Sequence, residues 1–175
     1  MTDILASIEG RKLGLDANGN LVQDDKVMLT STQYRYQGVA TVTVTSAQLL
    51  ALNATPQTII AAPGAGFAII PRMVALRIAG GTAYAGIASG EDLVLKYTNG
   101  SGAQCSSVIE TTGFLDQTTA QLRVVSGPAS TGTTAGDITP VANAAVVLHL
   151  LVGEITTGNQ DLIVRVWYDV IPTSF

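Results

Sequence analysis

The chain has 175 residues, of which 47% are hydrophobic and 13% are charged, whereas an average soluble domain has about 25% charged residues. This length fits one domain, or one domain with an arm, and the apolar content is sufficient for a sizeable core. The net charge of -4 argues against a surface that binds nucleic-acid phosphates, which requires clustered Lys and Arg, and the single cysteine, Cys105, excludes an internal disulfide.

The first residues, MTDILASIEGRK, contain no apolar segment of the kind that a signal peptide has. No run of about 18 apolar residues occurs elsewhere, so no membrane-spanning helix is expected. We therefore expect a soluble protein that is made in a cytoplasm.

The charged residues are unevenly distributed, because eight of them lie in the first 30 positions. The rest of the chain must cover its surface largely with Thr, Ser, Gly, Ala and Gln. Such a surface suits burial against neighbouring subunits, since the cores of protein interfaces are depleted in Lys, Glu and Asp. The alternative is a Thr-rich β-domain that stays monomeric.

The segment Met1–Gly38 is polar and shows little periodicity, which indicates an extended N-terminal arm, with a β-sandwich domain over 39–175. Within the arm, LGLDANGNLV places Asn18-Gly19 between two short apolar pieces. Both residues tolerate the positive φ of a tight hairpin turn. We therefore predict a small hairpin in which Leu13–Asp16 pairs with Asn20–Val22.

From Val39 onward, apolar and polar residues alternate with a period of two, which predicts strands. One exception is TSAQLLALNATP, where Thr45 and Gln48 can form a capping box for a helical turn near 46–52 and Pro56 prevents its continuation. Pro71 predicts an edge, a bulge or the start of its strand. The predicted strands cover 39–45, 57–62, 67–80, 93–98, 107–111, 121–125, 144–155 and 162–170, with a loop of small residues at 126–136.

These strands are separated by Gly, Pro and Asn turns, and almost no helix is expected. The spacing predicts an all-β fold, either an antiparallel β-sandwich or a barrel. The long strands, the long loops and the late pair of strands at 144–155 and 162–170 favour a jelly-roll-like sandwich over a simple meander.

No residue pattern indicates catalysis. His149 is the only histidine, and a strand histidine that a backbone group satisfies explains it better than a catalytic base. Cys105 could act as a nucleophile with His149, but its Ser, Gly and Ala neighbours give no reason for a lowered thiol pKa. Ser89 lacks the G-x-S-x-G elbow of a hydrolase. We expect no catalytic residue and no enzyme activity.

Metal and cofactor patterns fail on spacing. Asp16-Ala-Asn18-Gly-Asn20 begins like a calcium loop, but Leu21 and Met28 stand where Gly and Glu are required. One histidine and one cysteine cannot form a structural zinc site, and we expect no cofactor. Gly127 and Gly132 have the spacing of a phosphate-binding loop, but Thr133 stands where that loop requires lysine, which excludes a nucleotide site. Asn53 and Asn99 begin glycosylation triplets, which indicate turns here. The pairs Asp24-Asp25 and Glu91-Asp92 do not form a carboxylate dyad, because adjacent side chains face opposite ways along a strand.

The region from Thr45 to Gln117 resembles virion structural proteins of tailed bacteriophages, through TSAQLLALNATPQTIIAAPGAG, RMVALRIAGGTAYAG, DLVLKYTNGSG and ETTGFLDQT. These are small Ala/Thr/Gly-rich β-proteins of the decoration, cement or head-fibre kind, and related tail-associated β-domains. The resemblance implies an all-β domain, often trimeric, that binds the capsid lattice or the tail. It also implies an N-terminal arm that grips neighbouring subunits, and it identifies no binding residue.

The expected function is therefore that of a non-enzymatic phage structural protein that decorates and stabilises the capsid. Its partners would be copies of itself, as a homotrimer, and the major capsid protein or other virion proteins, without nucleic acid or membrane. It would reside in the virion, and in the host cytoplasm during assembly. The alternative is a tail or fibre β-domain that binds a host receptor or carbohydrate through the loops Gly80–Gly90 and Ser126–Thr139, which hold one aromatic residue, Tyr84.

Overall fold

A computed structural model describes residues 3–8, 11–15, 21–23, 26–29, 36–87, 90–126 and 138–174. The described residues form antiparallel strands and one short helix, which confirms the all-β class. In chain order the elements are β1 (Asp3–Ile8), β2 (Arg11–Leu15), β3 (Leu21–Gln23), β4 (Lys26–Leu29), β5 (Tyr36–Val44), α1 (Ser46–Leu50), β6 (Gln57–Ile60), β7 (Phe67–Gly80), β8 (Leu93–Tyr97), β9 (Thr119–Ser126), β10 (Val146–Leu150) and β11 (Leu162–Pro172).

The first four strands form a separate antiparallel sheet in the order β1-β2-β3-β4. The predicted hairpin is confirmed where it is described, because Leu15 pairs with Leu21 and Gly14 with Val22. Its turn lies outside the described residues. Strands β1 and β4 were not predicted, because neither DILASI nor KVML alternates regularly between apolar and polar residues.

The helical turn is confirmed together with its cap. Helix α1 begins after Thr45, whose hydroxyl accepts a hydrogen bond from the backbone N–H of Gln48, and the Gln48 side chain accepts one from the N–H of Thr45. Leu49 and Leu52 are fully buried in the core. The segment is therefore a capped connector between β5 and β6, as its sequence predicts.

Strands β5 to β11 form two antiparallel sheets, which we call the three-stranded sheet, in the order β6-β10-β8, and the four-stranded sheet, in the order β5-β11-β7-β9. Every connection between consecutive strands from β5 to β11 passes from one of these sheets to the other. Strand β5 begins at Tyr36, three residues before the predicted start of the body, and pairs with β11 over its whole length.

Both sheets contribute to one buried hydrophobic cluster. Val74, Leu76 and Ile78 alternate along β7 on its inner face and are fully buried. The four-stranded sheet also contributes Leu162, Val164 and Val166 from β11, and the three-stranded sheet contributes Leu93, Leu95 and Tyr97 from β8 and Val146, Leu148 and Leu150 from β10.

The predicted irregularity at Pro71 is a bulge. Trp167 of β11 pairs with Met73 and Tyr168 with Pro71, so Arg72 is an extra residue on β7. The pairing of β7 with β9 starts only at Met73. Proline has no N–H to donate, and no ladder hydrogen bond to β9 is formed at Pro71. A strand tolerates proline at such an unpaired position.

Two predicted strands are wrong in extent. The segment 107–111 is not a regular strand, because the Ser106 hydroxyl accepts the hydrogen bond of the Leu95 N–H and leaves only isolated bridges such as Leu93 with Ile109. Strand β10 ends at Leu150 instead of continuing to Ile155. The chain bends over 151–153, where Gly153 has a φ of 60°. Among the described residues, no helix has the length and hydropathy needed to cross a membrane.

Candidate functional site: the outer face of the four-stranded sheet

His149 lies in β10 opposite Val94 and is 6% exposed. Its pKa is lowered, first because burial penalises the imidazolium and then because the Lys96 ammonium is nearby. Its Nδ1 has no hydrogen-bond partner in the described part of the chain. The ring borders a shallow cavity of about 440 Å³ with amide and hydroxyl neighbours that include Asn53, Asn99 and Ser101. The arrangement favours a neutral imidazole and offers no carboxylate in hydrogen-bonding contact with Nδ1 to orient it as a base.

Cys105 does not join His149. Cys105 belongs to the core cluster together with Leu95 and Leu148, whereas His149 lies on the other face of the three-stranded sheet. Burial raises the pKa of the Cys105 thiol to about 12. A thiol with that pKa is not a nucleophile near neutral pH, so the structure assembles no cysteine–histidine pair.

Two carboxyl groups far apart in sequence do interact. Asp92 and Glu110 lie close enough for each carboxyl to affect the pKa of the other, and burial is the main reason why the pKa of Asp92 is raised. A hydrogen bond from the Thr112 backbone N–H is the main reason why the pKa of Glu110 is lowered. Sequence reasoning missed this pair because it compared neighbouring residues. Neither carboxyl borders the cavity beside His149 or the groove at Val39 and Trp167.

The other residues considered from sequence give turns, or lie outside the described residues. Asn53 donates its amide to the Leu150 carbonyl, and the Asn99 side chain accepts from the Ser101 N–H, so both are turn residues as predicted. Tyr84, the aromatic residue of the first candidate loop, is 2% exposed and donates to the Gln160 carbonyl. Those outside the described part of the chain are Asp16, Asn18, Asn20, Asp24, Asp25, Ser89, Gly127, Gly132 and Thr133.

The feature that offers a contact surface is the side of the four-stranded sheet that faces away from the core. Directly paired residues of antiparallel strands share a face, so the register defines this surface row by row. We call it the outer sheet face. Its three rows are Val39, Trp167, Met73 and Ser126; Thr41, Arg165, Ala75 and Val124; and Thr43, Ile163, Arg77 and Leu122.

The outer sheet face is apolar and exposed. Three of its residues, Val39, Leu122 and Val124, are 56%, 68% and 53% exposed. Trp167 and Met73 are half-buried beside Val39. The period of two in the predicted strand 121–125 puts Leu122 and Val124 on one face, but nothing in the sequence indicates that this face points to solvent.

The charges of the outer sheet face are both positive. Arg165 is exposed, donates through Nε to the Thr41 hydroxyl at 3.1 Å, and lies 6.0 Å from the centre of the Trp167 ring. Arg77 is exposed, without a hydrogen-bond or ion-pair partner among the described residues. The three rows contain no Asp or Glu.

At one end of the outer sheet face, a buried carboxylate forms an ion pair with an exposed arginine. Asp169, two residues beyond Trp167, is 1% exposed, and Arg72 of the bulge places its Nε 3.3 Å from a carboxylate oxygen of Asp169. Beside them, a groove of about 310 Å³ is bordered by Val39 and Trp167. The bulge at Pro71 thus supplies the cation that compensates this carboxylate.

The described residues contain no group of three or more His, Cys, Asp or Glu that could hold a metal ion. Comparison with known proteins gives no relative: no protein-family model, no curated protein and no solved structure matches this chain.

Proposed function

We propose that this chain is a non-enzymatic structural protein of a phage particle, which decorates the capsid and stabilises it through contacts at subunit junctions. The observation that carries the physical part of the proposal is the outer sheet face, where exposed apolar side chains and two arginines form a continuous surface. The resemblance of Thr45–Gln117 to phage virion proteins supplies the phage context. The partners in this proposal are copies of the chain, as a homotrimer, and the major capsid protein, in the virion.

We further propose that the body is a jelly roll, an architecture that viral capsid and lectin domains use. Two features support it. The first strand of the body, β5, lies beside the last, β11, and consecutive strands alternate between the sheets. The segment 104–109 runs antiparallel to β8, with bridges from Gln104 to Lys96 and from Ile109 to Leu93, where a fourth strand of the three-stranded sheet would lie.

The proposed mechanism is physical stabilisation. A protein that binds only the assembled shell shifts the equilibrium toward the assembled state, and the shift grows with its affinity. The N-terminal residues before β5 would add contacts as an arm, and any ordering that they undergo on binding would reduce the net affinity.

The rival function, receptor or carbohydrate binding through the loops at one end, has less support. Sugar-binding loops commonly present aromatic rings, and Tyr84 instead directs its hydroxyl to Gln160 inside the protein. Burial raises the pKa of Tyr84 to about 12, which is consistent with a structural ring.

The experiment is the addition of the purified chain to shells of its phage that were assembled without it. We expect co-sedimentation with the shells and an increase of several degrees in the temperature at which they rupture, because binding stabilises the assembled state. Removing residues 1–35 tests the arm without cutting β5, which begins at Tyr36. We expect that deletion to weaken binding by about tenfold or more.

The control is the thermal unfolding of the deletion variant, which has to match that of the full chain for its weaker binding to count. A full chain that neither sediments with shells nor changes their rupture temperature contradicts the proposed function. A deletion variant that binds as well as the full chain contradicts only the role of the arm.

A further inference from the structure

We infer that the outer sheet face is the contact through which one copy of this chain binds a second copy, and that the contact joins this face to a different, carboxylate-bearing surface of the second copy. The inference rests on the proposed structural role, in which copies assemble. It does not need the shell, so the two can fail separately.

The composition of the face is that of an interface core. Trp, Met and Arg are enriched in such cores, and Lys, Glu and Asp are depleted. Trp167, Met73 and Arg165 are direct or diagonal neighbours on β11 and β7. Around them lie the exposed side chains of Val39 and Val124 on the two edge strands. The three-stranded sheet offers no such face at β8 and β10, which are buried on both faces apart from the half-buried Lys96.

The size of the face sets what a partner must add. Four strands at about 4.8 Å spacing and five residues along each strand cover roughly 19 by 17 Å, or about 320 Å² of flat area. A stable interface buries about 800 Å² of accessible surface on each partner. The contact must therefore extend beyond the three rows, and the groove between Val39, Arg72 and Trp167 is directly adjacent.

The charges identify the second copy as the occupant. The outer sheet face carries Arg77 and Arg165, while the protein as a whole has a net charge of -4. Asp169, the carboxylate at the end of the face, is buried and held by Arg72, so it does not offset these two cations at the surface. The other carboxylates of the described body lie off the face, at Glu91, Asp92, Glu110, Asp116, Glu154 and Asp161. A second copy thus offers the complementary charge.

The same charges argue against a face-to-face dimer. Packing two outer sheet faces on each other would bring four guanidinium groups into one contact whose rows contain no carboxylate, and like charges in an interface are unfavourable. A contact between two different surfaces avoids this. Repeated with a rotation that closes, such a contact gives a ring, of which a trimer is one case.

The first experiment measures the mass of the full chain in solution, by light scattering after size exclusion, for two matched variants. Val124→Lys places a charge on the outer sheet face, where Val124 is 53% exposed. Val152→Lys places the same charge off the face, where Val152 is 55% exposed. We expect an oligomer for the wild type and for Val152→Lys, and both should dissociate only at a concentration at least about tenfold lower than the one at which Val124→Lys dissociates.

Leu122→Lys serves as a second face variant, and thermal unfolding of each variant verifies its fold. A wild type that remains monomeric at about 100 µM overturns the inference. So does equal dissociation of Val124→Lys and Val152→Lys. A monomeric wild type whose binding to shells is lost only in Val124→Lys would assign the face to the capsid protein instead, and would also overturn it.

The second experiment distinguishes the two kinds of contact. Val124→Lys keeps the surface that accepts the face of another copy, so immobilised wild type should bind it within about threefold of its affinity for wild type. In a face-to-face dimer, every mixed pair would contain one damaged face and binding would fall. Such a fall would overturn the inference, as would wild-type association that does not weaken with added salt.

Discussion

The two sheets of the body contain the same kinds of residues but differ in what covers them. In the three-stranded sheet, every residue of β10 is buried, on both faces. In the four-stranded sheet, the inner residues of β11, such as Val164 and Val166, are fully buried, while Arg165 between them is exposed. The three-stranded sheet is thus an interior layer at β10, and the four-stranded sheet has one face without a covering element among the described residues.

Local segments account for the difference. The outward side of the three-stranded sheet is covered where His149 meets Gly100 of the turn after β8, and Lys96 donates to the Gly100 carbonyl at 2.6 Å. Nothing comparable lies over Trp167 or Val124 in the described residues, and the outer sheet face stays open. An exposed sheet face in a charge-poor protein is therefore the first surface to test for association.

Substitutions in the core should lower the free energy of unfolding most. Leu148→Ala removes a fully buried side chain at the centre of the three-stranded sheet and should lower the free energy of unfolding by about 2–5 kcal/mol. Leu122→Ala shortens a side chain that is 68% exposed on the outer sheet face. In the monomer it should change the free energy of unfolding by less than about 0.5 kcal/mol. Chemical denaturation at low protein concentration measures both.

Protein concentration provides the control for this pair. If Leu122 lies in a contact between copies, Leu122→Ala should become destabilising as concentration rises, because association stabilises the folded state by mass action. Leu148→Ala should lose stability at every concentration. Equal losses for the two variants at low concentration would contradict the division into a covered and an open sheet.

Much of this division was readable in sequence. The strict alternation of LIVRVW predicts the buried and exposed sides of β11, and the apolar run VVLHL predicts a strand buried on both faces. The side of β9 that faces solvent was not readable. Leu122 and Val124 are as apolar as core residues, and only the pairing of β9 with β7 shows that they face outward.

The second prediction concerns the end of the open face. Arg72→Ala removes the guanidinium that lies 3.3 Å from the buried carboxylate of Asp169, and should destabilise the protein by about 1–2 kcal/mol. This is less than for a fully buried pair, because the Arg72 side chain is 57% exposed. Arg77→Ala is the matched control, since Arg77 is exposed and without a partner in the described residues. A loss for Arg77→Ala as large as for Arg72→Ala would show that the ion pair is not the cause.

The candidate site itself could not be predicted. Its rows combine residues from near positions 40, 75, 124 and 165, and a shift of one residue in any strand would turn its side chains to the other face. The bulge that inserts Arg72 is a similar case. Pro71 indicated an irregularity, but the partner of Arg72 followed only from the register with β11.

The third prediction tests the covered side of the three-stranded sheet through His149. Burial and the Lys96 ammonium lower the pKa of His149, whereas Glu154 and the Asn53 backbone act in the opposite direction more weakly. Between the lowered pKa and the ordinary value of about 6.5, the unfolded chain binds a proton that the folded chain does not. The contribution of the neutral His149 to the free energy of unfolding is therefore fully present above about pH 6.5, and it decreases as the pH falls toward the pKa of the folded state.

His149→Gln isolates this contribution, because glutamine keeps a polar side chain and does not titrate. In urea unfolding, the free energy of unfolding of the wild type should fall by about 1.4 kcal/mol more than that of the variant between pH 7.5 and pH 5, for each unit by which the pKa of His149 is lowered within that window. Most carboxyl groups titrate below about pH 4.5 and affect both proteins alike. If the turn at Gly100 left this histidine open to water, its pKa would be ordinary and the two pH profiles would be parallel. Parallel profiles would thus contradict the covered state of this sheet, on which the contrast with the outer sheet face depends.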